Sequence, residues 1–179
     1  MSEYKTITLP QILPYLEGEE DGDKPFLFVN PTGTLETFFT YKGHLLELSK
    51  DKISLTLHPE QKEKISENIR TNLLIGMKQG GWVVFTVGQS SSFDLMDFFK
   101  NFSYFDKDFF KPNSLRNRDY LLKRSILTDK DDYDNFGNHG SFMVKKEFKA
   151  IYLITCKIED IKNFISVNKN ISFNIIICQ

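Results

Sequence analysis

Short apolar runs alternate with longer amphipathic stretches along most of this chain. Phe26 to Asn30 is a compact apolar run, and Pro31, Thr32, Gly33 and Thr34 then turn into an amphipathic segment, Leu35 to Tyr41. That order reads as strand, tight loop and helix. After Gly43, Ile53 to Leu57 shows apolar residues alternating with Ser and Thr, which predicts a second strand. His58 and Pro59 open a long helix with Ile65, Ile69, Leu73 and Met77 on one face, ended by Gly80 and Gly81. Trp82 to Val87, Ala150 to Cys156 and Ser172 to Cys178 are continuous apolar runs, the pattern of strands covered on both faces. Ser92 is the expected N-cap of a helix carrying Phe93, Met96, Asp97 and Phe99, Arg118 to Arg124 reads as helical, and Ile161 and Phe164 mark a further short helix. Thr128 to Gly140, rich in Asp, Asn and Gly, reads as a loop.

Strands separated by helix-length segments imply βαβ crossovers and a parallel sheet with helices on both faces. The expectation is an α/β fold: a three-layer, five-stranded, mostly parallel, Rossmann-like sheet of the P-loop NTPase type. Residues 1–23 read as an N-terminal arm, Leu9 to Leu16, with an acidic linker, Glu17 to Asp23; residues 24–179 read as the domain proper. The arm serves either as a lid on the core or as a segment that docks on a partner.

A chain of 179 residues with 40% hydrophobic positions can bury one sizeable core. Its 23 basic and 24 acidic side chains are interspersed and leave a net charge of −1, which argues against nucleic acid or an anionic membrane as partner. The N-terminus has no secretory pattern and no run has the length of a membrane span. Cys156 and Cys178 sit in apolar runs without a disulfide or zinc spacing, so a cytoplasmic setting is expected.

The turn after the first run carries the chemical question. A P-loop needs glycines that let backbone N–H groups converge on phosphate, and a Lys followed by Ser or Thr. Here there is a single glycine and no lysine. Thr32, Gly33 and Thr34 still begin a helix and are the candidate anion contacts, against the plainer reading that Gly33 permits the turn and Thr34 caps it.

Other constellations are poorer. The loop acids Asp129, Asp131, Asp132 and Asp134 fail EF-hand spacing, because aromatic or apolar residues fall at ligand positions in either register. His44, His58 and His139 have no partner at metal or triad spacing. Gly88 and Ser90 lack the second glycine of a nucleophile elbow. No cofactor or metal is expected.

Seven aromatics fall within the thirteen positions from Phe98 to Phe110, more than one helix face can hide. They either pack under neighbouring segments or meet another protein. Phe102, Tyr104, Phe105, Phe109 and Phe110, with Arg116 and Arg118 just beyond, are the candidate partner contacts, suited to an acidic surface such as that of tubulin.

The order Lys24-Pro25-Phe26 to Val29, a glycine turn, a second strand, a long helix ending Gly80-Gly81-Trp82-Val83-Val84, and Tyr152-Leu153-Ile154-Thr155 resembles the late, degenerate AAA-type modules of dynein heavy chains. It is similar also to the AAA-like C-terminal region of the large ankyrin-repeat and IQ-motif proteins of cilia. In active members of that superfamily the strand equivalent to Trp82–Val87 ends in acids that hold magnesium; here it ends Thr86-Val87-Gly88-Gln89. Thr155 stands where those members carry a polar sensor. The resemblance thus implies a non-enzymatic structural or interaction protein of a large assembly, with axonemal proteins or tubulin as partners and a cilium or flagellum as location. The alternative is a small nucleotide-binding or nucleotide-hydrolysing protein with a non-standard loop at Asn30 to Thr34.

Overall fold

A computed structural model describes residues 4–19 and 22–179. Among these residues the strands join one parallel sheet of six, in the order β1-β6-β2-β5-β4-β3. In chain order, β1 (Lys5–Ile7) leads through a 3-10 turn to α1 (Ile12–Gly18) and β2 (Phe26–Val29). Next come α2 (Thr34–Lys42), β3 (His44–Glu47), α3 (Leu48–Leu57), α4 (Lys62–Gln79) and β4 (Trp82–Thr86). A helical insertion follows, with α5 (Leu95–Phe99), α6 (Pro112–Leu115) and α7 (Arg118–Lys123). The chain then forms β5 (Lys149–Ile154), α8 (Ile161–Val167) and β6 (Asn174–Cys178).

The strands alternate their side chains between two cores, as a pleated strand must. Phe26, Phe28, Val84, Ile151 and Leu153 face Ile12 and Leu16 of α1 and Leu35 and Phe39 of α2. Leu27, Val29, Val83, Phe85, Tyr152 and Ile154 face α4, α5 and α8. That is the three-layer α/β arrangement expected, with one strand more.

The extra strand is β1, which pairs with β6 through Lys5↔Ile176, Thr6↔Ile177 and Ile7↔Cys178. Residues 5–18 therefore share the sheet and its core, since Ile12 and Leu16 are buried against Phe26 and Phe28. Glu20 and Asp21 of the acidic linker, and Met1 to Glu3, lie outside the described residues.

Two expected elements are corrected. Ile53 to Leu57 is not a strand but the end of α3; the strand at this edge is His44–Glu47, paired in register with Val83 to Thr86. No glycine or proline interrupts the chain from Leu45 to Leu57, so α3 runs until His58, whose φ of −136° and ψ of 73° before Pro59 are not helical. Ser92 is not the cap of the next helix: Asp94 is, its side chain accepting from Asp97 N at 2.9 Å. Gly80, at φ 74°, closes α4 in the left-handed conformation, as its position in the sequence implies.

Candidate functional site

Parallel α/β sheets place ligand sites at the carboxyl ends of the strands, where neighbouring connections leave toward opposite faces. Here that point lies between β2 and β5. The chain leaves β2 toward the face covered by α2, and leaves β5 toward the face covered by α8. The crevice between them is bounded by Asn30–Gly33 after β2, Thr86–Gly88 after β4, and Thr155 after β5.

Asn30 organises the first of these segments. Its N–H extends the ladder to Ile154 O at 3.0 Å. The side chain, 1% exposed, accepts from Leu35 N at 2.9 Å through Oδ1. Through Nδ2 it donates to Cys178 O at 3.2 Å and to Thr32 Oγ1 at 3.1 Å. One amide thus ties the end of β2 to the first turn of α2 and the end of β6. Gly33 takes φ 75° to turn the chain into α2, and a Cβ there would meet Thr155 Cγ2 at an ordinary 3.7 Å. The turn needs glycine for its backbone conformation, and not for a close approach.

Thr32, Gly33 and Thr34, the candidate anion contacts, do sit together at the mouth of this crevice. Their hydroxyls are engaged locally: Thr32 Oγ1 and Thr34 Oγ1 lie 3.1 Å apart, and Thr34 Oγ1 donates to Asn30 Oδ1 at 3.4 Å. Gly33 N donates to Asn30 O at 3.4 Å.

The acid that joins these strand ends is one that sequence reasoning missed. Glu36, in the first turn of α2, accepts from Thr86 Oγ1 at 2.9 Å and from Thr155 Oγ1 at 3.5 Å. Thr86 Oγ1 in turn accepts from Gly88 N at 3.1 Å, and Thr155 N donates to Gly88 O at 2.8 Å. Thr86, at the end of β4, and Thr155, just after β5, are thus drawn onto one carboxylate. An acid two residues into the helix that follows a phosphate-type turn was the available clue.

The expected partner contacts lie elsewhere, and most are corrected. Phe102, Phe105, Phe109 and Phe110 are buried, and Tyr104 is half-buried. Their rings pack on one another and on Phe85 and Phe99, with the Phe105–Phe109 centroids 4.5 Å apart. The helical insertion between β4 and β5 is folded over the sheet, so the excess of aromatics is absorbed by the core of the chain itself. Arg116 is a structural tie, donating to Lys145 O at 3.3 Å, Lys146 O at 3.2 Å and Phe148 O at 2.5 Å. Arg118 pairs with the buried Asp132, which also accepts from Phe142 N at 3.1 Å.

The loop acids are likewise consumed internally. Asp131 accepts from Arg70 Nη1 at 2.7 Å; Glu67 accepts from Arg70 Nε at 2.8 Å, and Arg70 donates to Ile126 O at 3.0 Å as well. The Arg70 hydrogen bond holds the Glu67 carboxyl below the usual carboxylate range. Burial pushes Asp131 up, but the Thr128 and Arg70 hydrogen bonds outweigh it and hold that carboxyl below its usual range too. Among the described residues no group of three or more His, Cys, Asp or Glu side chains could hold a metal ion. His44, His58 and His139 are not brought together: His139 Nε2 lies 3.0 Å from Asp129 Oδ1, and His58 pairs with Glu60.

Cys156 and Cys178 are buried free thiols. Burial, with the nearby Asp160 charge, pushes Cys156 up to about 11, which makes it a poor nucleophile. Among the described residues no helix is long and apolar enough to cross a membrane. The chain matches no protein-family model, no curated protein and no solved structure.

Proposed function

We propose that this chain is a catalytically inert structural component of a larger protein assembly, built on a fold laid out for nucleotides but closed to them. The carrying observation is the position of Glu36: its carboxylate lies across the switch-point crevice, held by Thr86 and Thr155. A phosphate charge about 4 Å from it would meet a repulsion on the order of 4 kcal/mol at an effective dielectric constant of about 20. No lysine stands in the turn to offset that term, and Asn30 has already taken the Leu35 N–H of the helix start. The strand ends supply hydroxyls where magnesium would need carboxylates.

The likeness to late dynein modules and to the ciliary ankyrin-repeat and IQ-motif proteins makes the axoneme, with attachment to doublet microtubules or to a complex on them, the expected setting. Two measurements test the reading. Titration calorimetry with magnesium ATP and magnesium GTP should give no heat of binding, and a phosphate-release assay no turnover. Tagged protein should remain with detergent-stripped axonemes; recovery only in a soluble or mitochondrial fraction removes that setting. Turnover at an enzyme's pace, or nucleotide binding abolished by Gly33→Val, would instead establish a nucleotide-binding protein with a non-standard loop.

A further inference from the structure

Among the described residues the most exposed aromatic is Phe136, ahead of Tyr41, and it lies far in sequence from the buried cluster. Its side chain is 91% exposed, and Met143 beside it is 75% exposed. Both line a shallow groove of about 270 Å³ together with Lys78, Lys145 and Ser141.

Phe136 is presented by an ordered loop. Asp134 Oδ1 accepts from Phe136 N at 2.8 Å and Asn138 N at 2.9 Å, and Asp134 N donates to Asn138 O at 3.1 Å. Gly140 N donates to Asp132 O at 2.7 Å, and Asp132 is itself buried and paired with Arg118. The far side of the groove is pinned by Lys145 N, which donates to Met77 O at 2.9 Å. An apolar ring on a pre-organised loop loses little conformational freedom on association, which is the property of an interface anchor.

We propose that Phe136, Met143 and the groove they line form a docking surface for an extended segment of a partner protein that carries large apolar side chains flanked by acidic ones. This deepens the structural-component reading and rests on it. Charge selects the occupant: two lysines, Lys78 and Lys145, stand against one carboxylate, Asp134, so the rim is net positive. A second copy of the chain, related by a two-fold axis, would set that rim against itself. The groove alongside the ring calls for a shaped ridge, which a bilayer surface does not supply.

The test uses a phage-displayed random peptide library, panned on the folded chain, with the selected peptides then titrated against the chain and against Phe136→Ser. Selected peptides should pair large apolar residues with Asp or Glu. Their affinity should fall about 10-fold or more on Phe136→Ser, the scale of one lost buried aromatic. Lys78→Glu should weaken them too, in a salt-dependent way. Because Phe136 stands clear of the core, the variant should melt with the parent, so loss of binding is not loss of fold. The proposal is overturned by an absence of enrichment, by basic peptides, or by peptides bound equally by Phe136→Ser. Self-association in sedimentation equilibrium, or co-sedimentation with vesicles of phosphatidylcholine and phosphatidylserine, would overturn it as well if Phe136→Ser abolished either one. Triphosphate turnover by the same preparation would sink the inert-component reading by a separate readout.

Discussion

Replacing Asn30 by alanine should destabilise the chain more than any substitution among its exposed neighbours. The change removes the acceptor for Leu35 N and the donor for Cys178 O. Leu35 is 0% exposed and Cys178 1%, so water does not readily replace the lost amide. A buried backbone group left without a partner costs about 1–3 kcal/mol, and two of them set the expectation at about 3 kcal/mol. That is a large share of the roughly 5–15 kcal/mol by which domains are stable. At about 2–4 °C per kcal/mol for a chain of this size, the melting temperature should fall by about 6–12 °C. The assay is urea unfolding followed by circular dichroism, with the loss read from the midpoint at an unchanged slope. Thr32→Ala is the control: it removes an exposed hydroxyl partner of the same amide and of Thr34, and should stay within about 0.5 kcal/mol. Asn30→Asp should keep the Leu35 bond but lose the bond to Cys178 O and bury a charge, and so fall with alanine. An Asn30→Ala midpoint within about 0.5 kcal/mol of the parent would refute the claim that this amide holds the strand ends together.

The remaining predictions concern other parts of the fold. Gly43→Ala should cost about 1–3 kcal/mol, because its Cβ would lie 2.8 Å from Trp82 O and force β3 away from β4; Gly18→Ala, with nothing within 4 Å among the described residues, is the matched control in thermal melts. The Glu67–Arg70–Asp131 cluster should make stability acid-sensitive. Both carboxyls are depressed in the fold, so their contribution is complete above the ordinary carboxylate values of about 4 and is lost as pH falls through the lowered ones. Glu67 is half-exposed, which limits the effect to about 1 kcal/mol, and Arg70→Met should remove that acid-dependent part when urea midpoints at about pH 7 and about pH 3 are compared. Equal acid sensitivity in the variant would assign the loss to other groups.

The parallel architecture was legible because buried strands write themselves as unbroken apolar runs: β2, β4, β5 and β6 all fall on runs visible in the sequence. Failures came where tertiary pairing decides. β1 has only Lys5, Thr6 and Ile7, and nothing local distinguishes it from a loop until β6 is there to pair with it. Ile53, Leu55 and Leu57 imitate a strand by alternating, yet in α3 Ile53 and Leu57 are 61% and 68% exposed. Of the three only Leu55 packs against the core, on the helical face it shares with Leu48, so the alternation marked no strand face. The Phe98 to Phe110 cluster was ambiguous for a related reason. An aromatic excess over one helix face becomes core once the insertion doubles back over Phe85 and Tyr152, and local sequence does not carry that fold-back.

The candidate site shows the same limit at higher resolution. The absence of lysine was readable at once, but it left open whether the crevice was empty or filled. Position within the fold answers that, because only the parallel register of β4 and β5 brings Thr86 and Thr155 onto Glu36. Each strand end at this point is then committed to another element: Asn30 to β6 and α2, Thr86 and Thr155 to α2. With the carboxyl edge spent on internal hydrogen bonds, the proposed reading puts recognition on ordered apolar surface elsewhere. Phe136 and Met143 meet that description, held by a loop whose own polar groups are paired and offering apolar surface with no cover among the described residues.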